Sequence, residues 1–240
     1  MIETAMILAA GFGTRMRPIT DHTPKPLVPL AGRALIDHGI DRLVAAGVKR
    51  IVVNTHYKAP MMAAHLAQRQ DVEIVLSHEE SLLDTGGGVK KALPHLGEAF
   101  YVVNADVFWL NARTPALIRL ARAWNEEKLD ALLLVQRTTS AIGYDGVGDF
   151  FVDSVGHLRR RGEREVVPHL FAGIEILSRR FFDGAPEGAF SLNLLWNRAI
   201  AAGRLKALIH DGEWFHVGTP EGLAQSEDRL SERNLWPGST

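Results

Sequence analysis

Cysteine is missing from all 240 residues, which removes disulfides, thiolate zinc sites and cysteine nucleophiles together. That fits a reducing compartment. A surplus of either charge is missing too: 27 Lys and Arg face 28 Asp and Glu, a net charge of -1, so nothing is available to neutralise a polyanion across a broad face. Nucleic acid is not expected as a partner. Apolar runs such as Ala5 to Ala10 are far too short to cross a bilayer, and the first residues carry Glu3 with no basic stretch ahead of an apolar core. The expectation is a soluble, cytoplasmic protein with no membrane partner.

What is present is ample apolar material, 46% of the chain, enough for a sizeable core. Short apolar runs alternate with amphipathic stretches. Strands are expected at 5–10, 50–54, 72–76, 99–104 and 130–136, with helices at 34–46, 60–68, 88–96 and 114–127 between them. This βαβ rhythm implies a mostly parallel sheet with helices on both faces. After residue 140, Gly143, Gly146, Gly148 and Gly156 punctuate shorter strands that suggest a hairpin region. Helical periodicity returns at 192–202 and 220–230, with Gly203 as a C-cap and a fraying tail at 235–240. No repeat or low-complexity linker interrupts the chain, so one domain over 1–240 is expected.

The strongest signal is Leu8-Ala9-Ala10-Gly11-Phe12-Gly13-Thr14-Arg15-Met16-Arg17-Pro18, directly after the first strand. Doubly wound sheets bind ligands at that place, and glycines there let backbone N–H groups approach phosphate oxygens. A Walker loop would need Lys after the second Gly, and a dinucleotide fingerprint a third Gly where Met16 stands, so both fail. Then comes Thr23-Pro24-Lys25-Pro26-Leu27-Val28-Pro29, in which three prolines hold an extended, stiff segment that presents an exposed Lys25. Together these strings resemble the signature of the sugar-1-phosphate nucleotidyltransferases.

The resemblance implies a three-layer, Rossmann-like α/β fold with a mixed, mostly parallel sheet of the glycosyltransferase-A-like type. Its nucleotide-binding part spans about 1–137 and its sugar-binding part about 138–232. It implies that a sugar-1-phosphate oxygen attacks the α-phosphorus of a nucleoside triphosphate, releasing pyrophosphate. A phosphate monoester is already anionic near pH 7, with a second pKa of about 6, so the chemistry calls for positioning and charge neutralisation rather than a base. Carried over residue by residue, Arg15, Lys25 and Asp106 are the catalytic set. Ala10, Gly11, Phe12, Gly13, Lys25, Asp84, Thr85, Gly86 and Asn104 meet the nucleotide, and Asp149, Gly173 and Glu175 meet the sugar. Asp106, at the end of Tyr101-Val102-Val103-Asn104-Ala105-Asp106, is the Mg²⁺ ligand, with Mn²⁺ an alternative ion.

One position departs from the family. Trp214-Phe215-His216-Val217-Gly218-Thr219 carries His216 where the family has the second metal-binding Asp. Mg²⁺ prefers oxygen ligands, so three outcomes stand open: Mg²⁺ held by Asp106, phosphates and water; His216 on a phosphate oxygen; or loss of activity. The partners implied are UTP or GTP and a sugar 1-phosphate, on a monomer or homodimer. N-acetylmuramate 1-phosphate with UTP is the first expectation and mannose 1-phosphate with GTP the second, against a non-catalytic nucleotide-sugar binder. The Arg159-Arg160-Arg161 run reads as a solvated turn or a sugar-phosphate contact.

Overall fold

The computed structural model describes residues 1–233, and the tail expected to fray, 235–240, lies outside them. In chain order the elements are β1 (Thr4–Leu8), β2 (Pro29–Leu30), β3 (Arg33–Ala34), α1 (Leu35–Ala45), β4 (Arg50–Thr55), α2 (Ala59–Leu66) and β5 (Glu73–His78). There follow α3 (Asp84–Ala92), β6 (Ala99–Asn104), β7 (Val107–Leu110), α4 (Ala116–Ala123), β8 (Ala131–Arg137) and β9 (Ala141–Ile142). The second half holds β10 (Phe150–Val152), β11 (Leu158–Arg160), β12 (His169–Ser178), α5 (Leu192–Ala201), β13 (Leu205–Ile209), β14 (Glu213–His216) and α6 (Pro220–Glu232).

The main sheet runs β11-β10-β12-β6-β1-β4-β5, with β8 joining β12 and β13 joining β8. Strands β6, β1, β4 and β5 are parallel neighbours, β12 enters antiparallel between β6 and β8, and β8 pairs with β13 in parallel. The period of two along β1 separates the layers: Ala5 and Ile7 face Ile36, Ile40 and Leu43 of α1, whereas Met6 faces Val89 of α3 and Leu195 of α5. A third, smaller core of Met16, Val28, Leu30, Phe215, Val217 and Leu230 ties the proline segment to β14 and α6. Among the described residues no helix is long and apolar enough to cross a membrane.

Three expectations on the elements need correction or completion. The helix expected to begin at Gly88 begins at Asp84, so three successive glycines lie inside it. Their low helix propensity is overridden by close packing: a Cβ on Gly86 would sit 2.3 Å from the Phe190 ring, and one on Gly87 would sit 2.2 Å from the Gly188 carbonyl. The helix expected over 114–127 covers only Ala116–Ala123, because Trp124 turns extended and the Asn125 side chain accepts the Lys128 N–H in a turn of its own. Gly203 does follow α5 in the left-handed region, at φ 65°.

Candidate functional site

Parallel β1, β4 and β6 all end on one side, and their loops surround a cavity of about 510 Å³. The glycine loop forms its floor. Ala9 N–H donates to Asn54 Oδ1 at the end of β4 (2.7 Å), and Gly13 turns the chain at φ 64°. Only glycine serves at that turn, since a Cβ would stand 3.0 Å from both Lys25 Cβ and Thr20 Cγ2. Ala10, Gly11, Gly13 and Arg15 line the cavity, while the exposed Phe12 packs edge-on against His56 and Tyr57.

Lys25 corrects its expectation. The segment is not extended: Lys25–Leu27 form one 3-10 turn, closed by Leu27 N–H to Pro24 O (2.8 Å) and Val28 N–H to Lys25 O (3.0 Å). Nor is Lys25 exposed, at 9%. The turn forms because Pro26 has no N–H to lose and Pro24 leaves its carbonyl free to accept. Lys25 Nζ then donates to Asp106 Oδ2 at 2.7 Å, with the carboxylate 27% exposed to the cavity. Burial pushes the Asp106 carboxyl up, but the Lys25 charge and hydrogen bond, helped by His216 and Arg15, outweigh it and hold the group below its ordinary value.

His216 stands beside this pair. It ends β14 opposite Val107, Val217 N–H donates to Asp106 O (3.3 Å), and the imidazole lies so close to Gly218 that a Cβ there would come within 2.1 Å of Nε2. Burial lowers its pKa, Asp106 works against that, and Lys25 and Arg15 reinforce it, so the ring is neutral at pH 7. Among the described residues no three His, Asp or Glu side chains form a metal cage. One carboxylate whose second oxygen accepts from no donor among the described residues fits a hard ion that takes its remaining oxygens from phosphates and water.

The opposite wall is the start of α3. Asp84 adopts φ 56° and its carboxylate accepts the Thr85 N–H (2.6 Å), while Thr85 Oγ1 accepts the Leu192 N–H from α5 (3.0 Å). Both line the cavity, as does Asn104, whereas Gly86 is packed under Phe190 and does not. Asn54 and Glu79 line the cavity and escaped sequence reasoning. Asn54 Nδ2 donates to Glu79 Oε1 (2.7 Å), and Glu79 Oε2 accepts the Leu83 N–H (2.9 Å), so one buried amide–carboxylate bridge joins the glycine loop to the approach of α3. The signal for Asn54 was a polar residue ending the apolar run Ile51-Val52-Val53-Asn54.

The three sugar-half residues scatter. Gly173 sits at the bulge of β12 with φ 74°, where a Cβ would meet Val107 at 2.8 Å and Asn104 at 3.2 Å, which makes it a close-approach glycine beside the cavity. Asp149 is spent on the backbone, accepting the Phe171 N–H (2.8 Å). Glu175 is not presented to the cavity at all. It is 1% exposed, accepts the Trp196 indole N–H on Oε2 (2.9 Å) and leaves Oε1 without a partner among the described residues. Burial pushes its pKa up to about 8, so it is a neutral acid at pH 7. It follows the bulge, so its side chain points into the α5 layer.

The profile of the nucleotidyl transferase family matches residues 4–148. The chain is 43% identical over 236 residues to the N-acetylmuramate alpha-1-phosphate uridylyltransferase of Caulobacter vibrioides, covering 96% of this chain and 98% of that one. It is 35% identical over 230 residues to the enzyme of the same name from Neisseria meningitidis serogroup B, covering 93% and 96%. Among solved structures, HddC from Yersinia pseudotuberculosis in complex with GMP-PN superposes with a TM-score of 0.77 over 96% of this chain and 100% of that one. At 22% identity it speaks to fold alone.

Proposed function

Because the chain belongs to the nucleotidyl transferase family, we propose that it joins UTP to N-acetylmuramate 1-phosphate, giving the UDP-sugar and pyrophosphate. The observation that carries this reading is the Lys25–Asp106 pair, 2.7 Å apart at the mouth of the glycine loop. An oxygen of the sugar phosphate attacks the α-phosphorus and the bond to the β-phosphate oxygen breaks. No proton must be removed from the nucleophile, which is already ionised. The floor from Ala10 to Gly13 and the α3 start at Asp84 and Thr85 hold the nucleotide, and Arg15, exposed at the rim, meets the departing phosphates. Lys25 neutralises charge as it builds between the two anions.

Asp106 would hold Mg²⁺, or Mn²⁺, with the free carboxylate oxygen; a bound Mg²⁺ supplies Lewis-acid stabilisation of phosphate charge. His216, neutral and adjacent, is not an obligatory metal ligand in this reading. We take residues 1–137 as the nucleotide-binding part and 138–232 as the sugar-binding part of one cytoplasmic unit. The test is pyrophosphate release with UTP or GTP crossed with N-acetylmuramate 1-phosphate or mannose 1-phosphate, with Mg²⁺ and with Mn²⁺. Turnover is expected with UTP and N-acetylmuramate 1-phosphate, and to be lost in Asp106→Asn. Preference for GTP with mannose 1-phosphate overturns the substrate reading, and nucleotide-sugar binding without any turnover overturns the reaction.

A further inference from the structure

The three successive arginines of the β11 end are not alike. Arg159 is exposed and paired with Glu165 at 2.7 Å, and exposed Arg161 donates to the carbonyls of Gly162 and Glu163 at 3.1 Å. Arg160 instead turns into the protein on the α5 side. Its guanidinium lies over the Phe150 ring at 5.0 Å and the Trp196 ring at 5.5 Å. Nε donates to Asn197 Oδ1 (2.7 Å) and Nη2 to Asn193 Oδ1 (2.8 Å). Both acceptors are neutral amides. Among the described residues no carboxylate lies within ion-pair distance of it, although Arg69, Arg180, Arg204 and Arg229 each have one.

Burial pushes the Arg160 guanidinium down and the Asp149 carboxylate pulls it back only from beyond ion-pair distance, so partly burying it against two rings costs free energy that a bonded carboxylate would return. The site is nonetheless built to hold that cation still. Trp196 is fixed by its hydrogen bond to Glu175 (2.9 Å) and by the edge of Phe171, with ring centroids 4.7 Å apart. The Arg160 Nη1 hydrogens make no hydrogen bond among the described residues. A planar fork held on two sides, with donors to spare, is preorganised for a carboxylate. Its position is set by α5: Asn193 follows Leu192, whose N–H is bonded to cavity-lining Thr85. Arg160 is thereby tied through α5 to the cavity residue Thr85, while Lys25 and Arg15 line the cavity themselves.

We propose that Arg160 is a specificity-determining residue that binds a carboxylate on the sugar, selecting acidic over neutral hexosamine 1-phosphates. This rests on the acceptor proposed above. N-acetylmuramate 1-phosphate carries a lactyl-ether carboxylate in addition to its phosphate, and N-acetylglucosamine 1-phosphate is the same sugar without it. A second anion on the substrate would give this cation the direct ion pair that it lacks among the described residues.

The experiment measures kcat/KM with UTP for both sugar phosphates, in wild type, Arg160→Met and Arg160→Lys, and reads the ratio between the two sugars. That ratio does not depend on how much of a variant is folded. Wild type should favour the acidic sugar, Arg160→Met should lower the ratio by about 10- to 100-fold, chiefly through KM, and Arg160→Lys should restore part of it. An unchanged ratio in Arg160→Met, or a wild type indifferent to the carboxylate, overturns the assignment. Calorimetric binding of UDP-N-acetylmuramate and UDP-N-acetylglucosamine to the same three proteins reads the same ratio without turnover. A wild type that binds the acidic product preferentially yet transfers nothing would sink the proposed reaction and uphold Arg160, whereas normal transfer with an unmoved ratio would do the reverse.

Discussion

The two halves of the molecule handle buried charge in opposite ways. Beside the glycine loop, Lys25 and Asp106 meet at 2.7 Å, and the pairing keeps the carboxylate ionised against the pull of burial. In the other half, Glu175 and Arg160 both touch Trp196, one at its indole N–H and the other across its ring face, and are bonded to neutral groups rather than to each other. There burial wins, and the carboxyl is pushed up to about 8. Similar residue types give a charged pair in one place and, in the other, a neutral acid beside a cation with no direct ion pair among the described residues. Burial acts on both carboxyls, and the charge that the fold sets beside Asp106 and withholds from Glu175 turns the two in opposite directions.

Removing the cation from the first half is the most damaging change. Lys25→Ala should lower nucleotidyl transfer by about 10²-fold or more, since a charged donor aimed at the transition state is lost. It should also destabilise the fold by about 1–3 kcal/mol, because Asp106 is left partly buried without its partner. Turnover of the purified variant and its denaturant midpoint measure the two. Wild-type turnover in a folded Lys25→Ala protein would break the contrast between the halves.

That stability cost was invisible in the sequence. Proline spacing around Lys25 reads as a stiff extended segment, and only the 3-10 turn, with Met16, Val28 and Phe215 packed beneath, carries the lysine inward to Asp106. The parallel strands, the glycine loop and Asp106 were legible because each is written in a contiguous string. The glycine helix start was not, since its packing against Phe190 and Gly188 depends on residues about a hundred positions away. Glu175 misled for a related reason: its role was carried over from the family resemblance, and the bulge after Phe171, which no contiguous string shows, turns its side chain into the α5 layer.

Asn54 offers a gentler cut in the same half. Asn54→Ala strips the Ala9 N–H of its acceptor and Glu79 of a donor, both buried, and should cost about 1–3 kcal/mol with a roughly tenfold fall in kcat/KM for UTP. Asn54→Asp should be worse, because it sets a second carboxylate against Glu79. Kinetics varied in UTP and, separately, in sugar phosphate locate the defect; an equal change in both would mean the bridge serves stability alone.

Glu175 probes the other half through pH. Its folded pKa, about 8, lies above the ordinary 4.5, so folding takes up a proton. The stabilisation is full below about pH 4.5, declines as pH rises and is gone above about 8, at up to roughly 1.4 kcal/mol per pH unit between those limits. Glu175→Gln keeps an acceptor for Trp196 and removes the titration, so its melting temperature should fall less than wild type's between pH 6 and pH 9. Parallel curves for the two proteins would mean that Glu175 is ionised in place, and the contrast between the halves would close.

The smallest effect is expected where the sequence departs from its family. His216 is neutral at pH 7, lies beside Asp106 and forms no part of a metal cage among the described residues. His216→Asp therefore removes no obligatory ligand. It adds a carboxylate near one already held by Lys25, which raises the Asp106 pKa in the free protein but supplies a second hard oxygen once a divalent ion binds. Those terms oppose each other, so transfer should stay within about tenfold of wild type while the Mg²⁺ concentration for half-activation falls. A Mg²⁺ titration of both proteins reads this directly. If His216 instead holds a phosphate oxygen, the new carboxylate repels the substrate, and KM for UTP or the sugar phosphate rises with no gain in Mg²⁺ affinity. Loss of more than about a hundredfold in His216→Asp would show that the imidazole is as much a part of the charged half as Lys25 and Asp106 are.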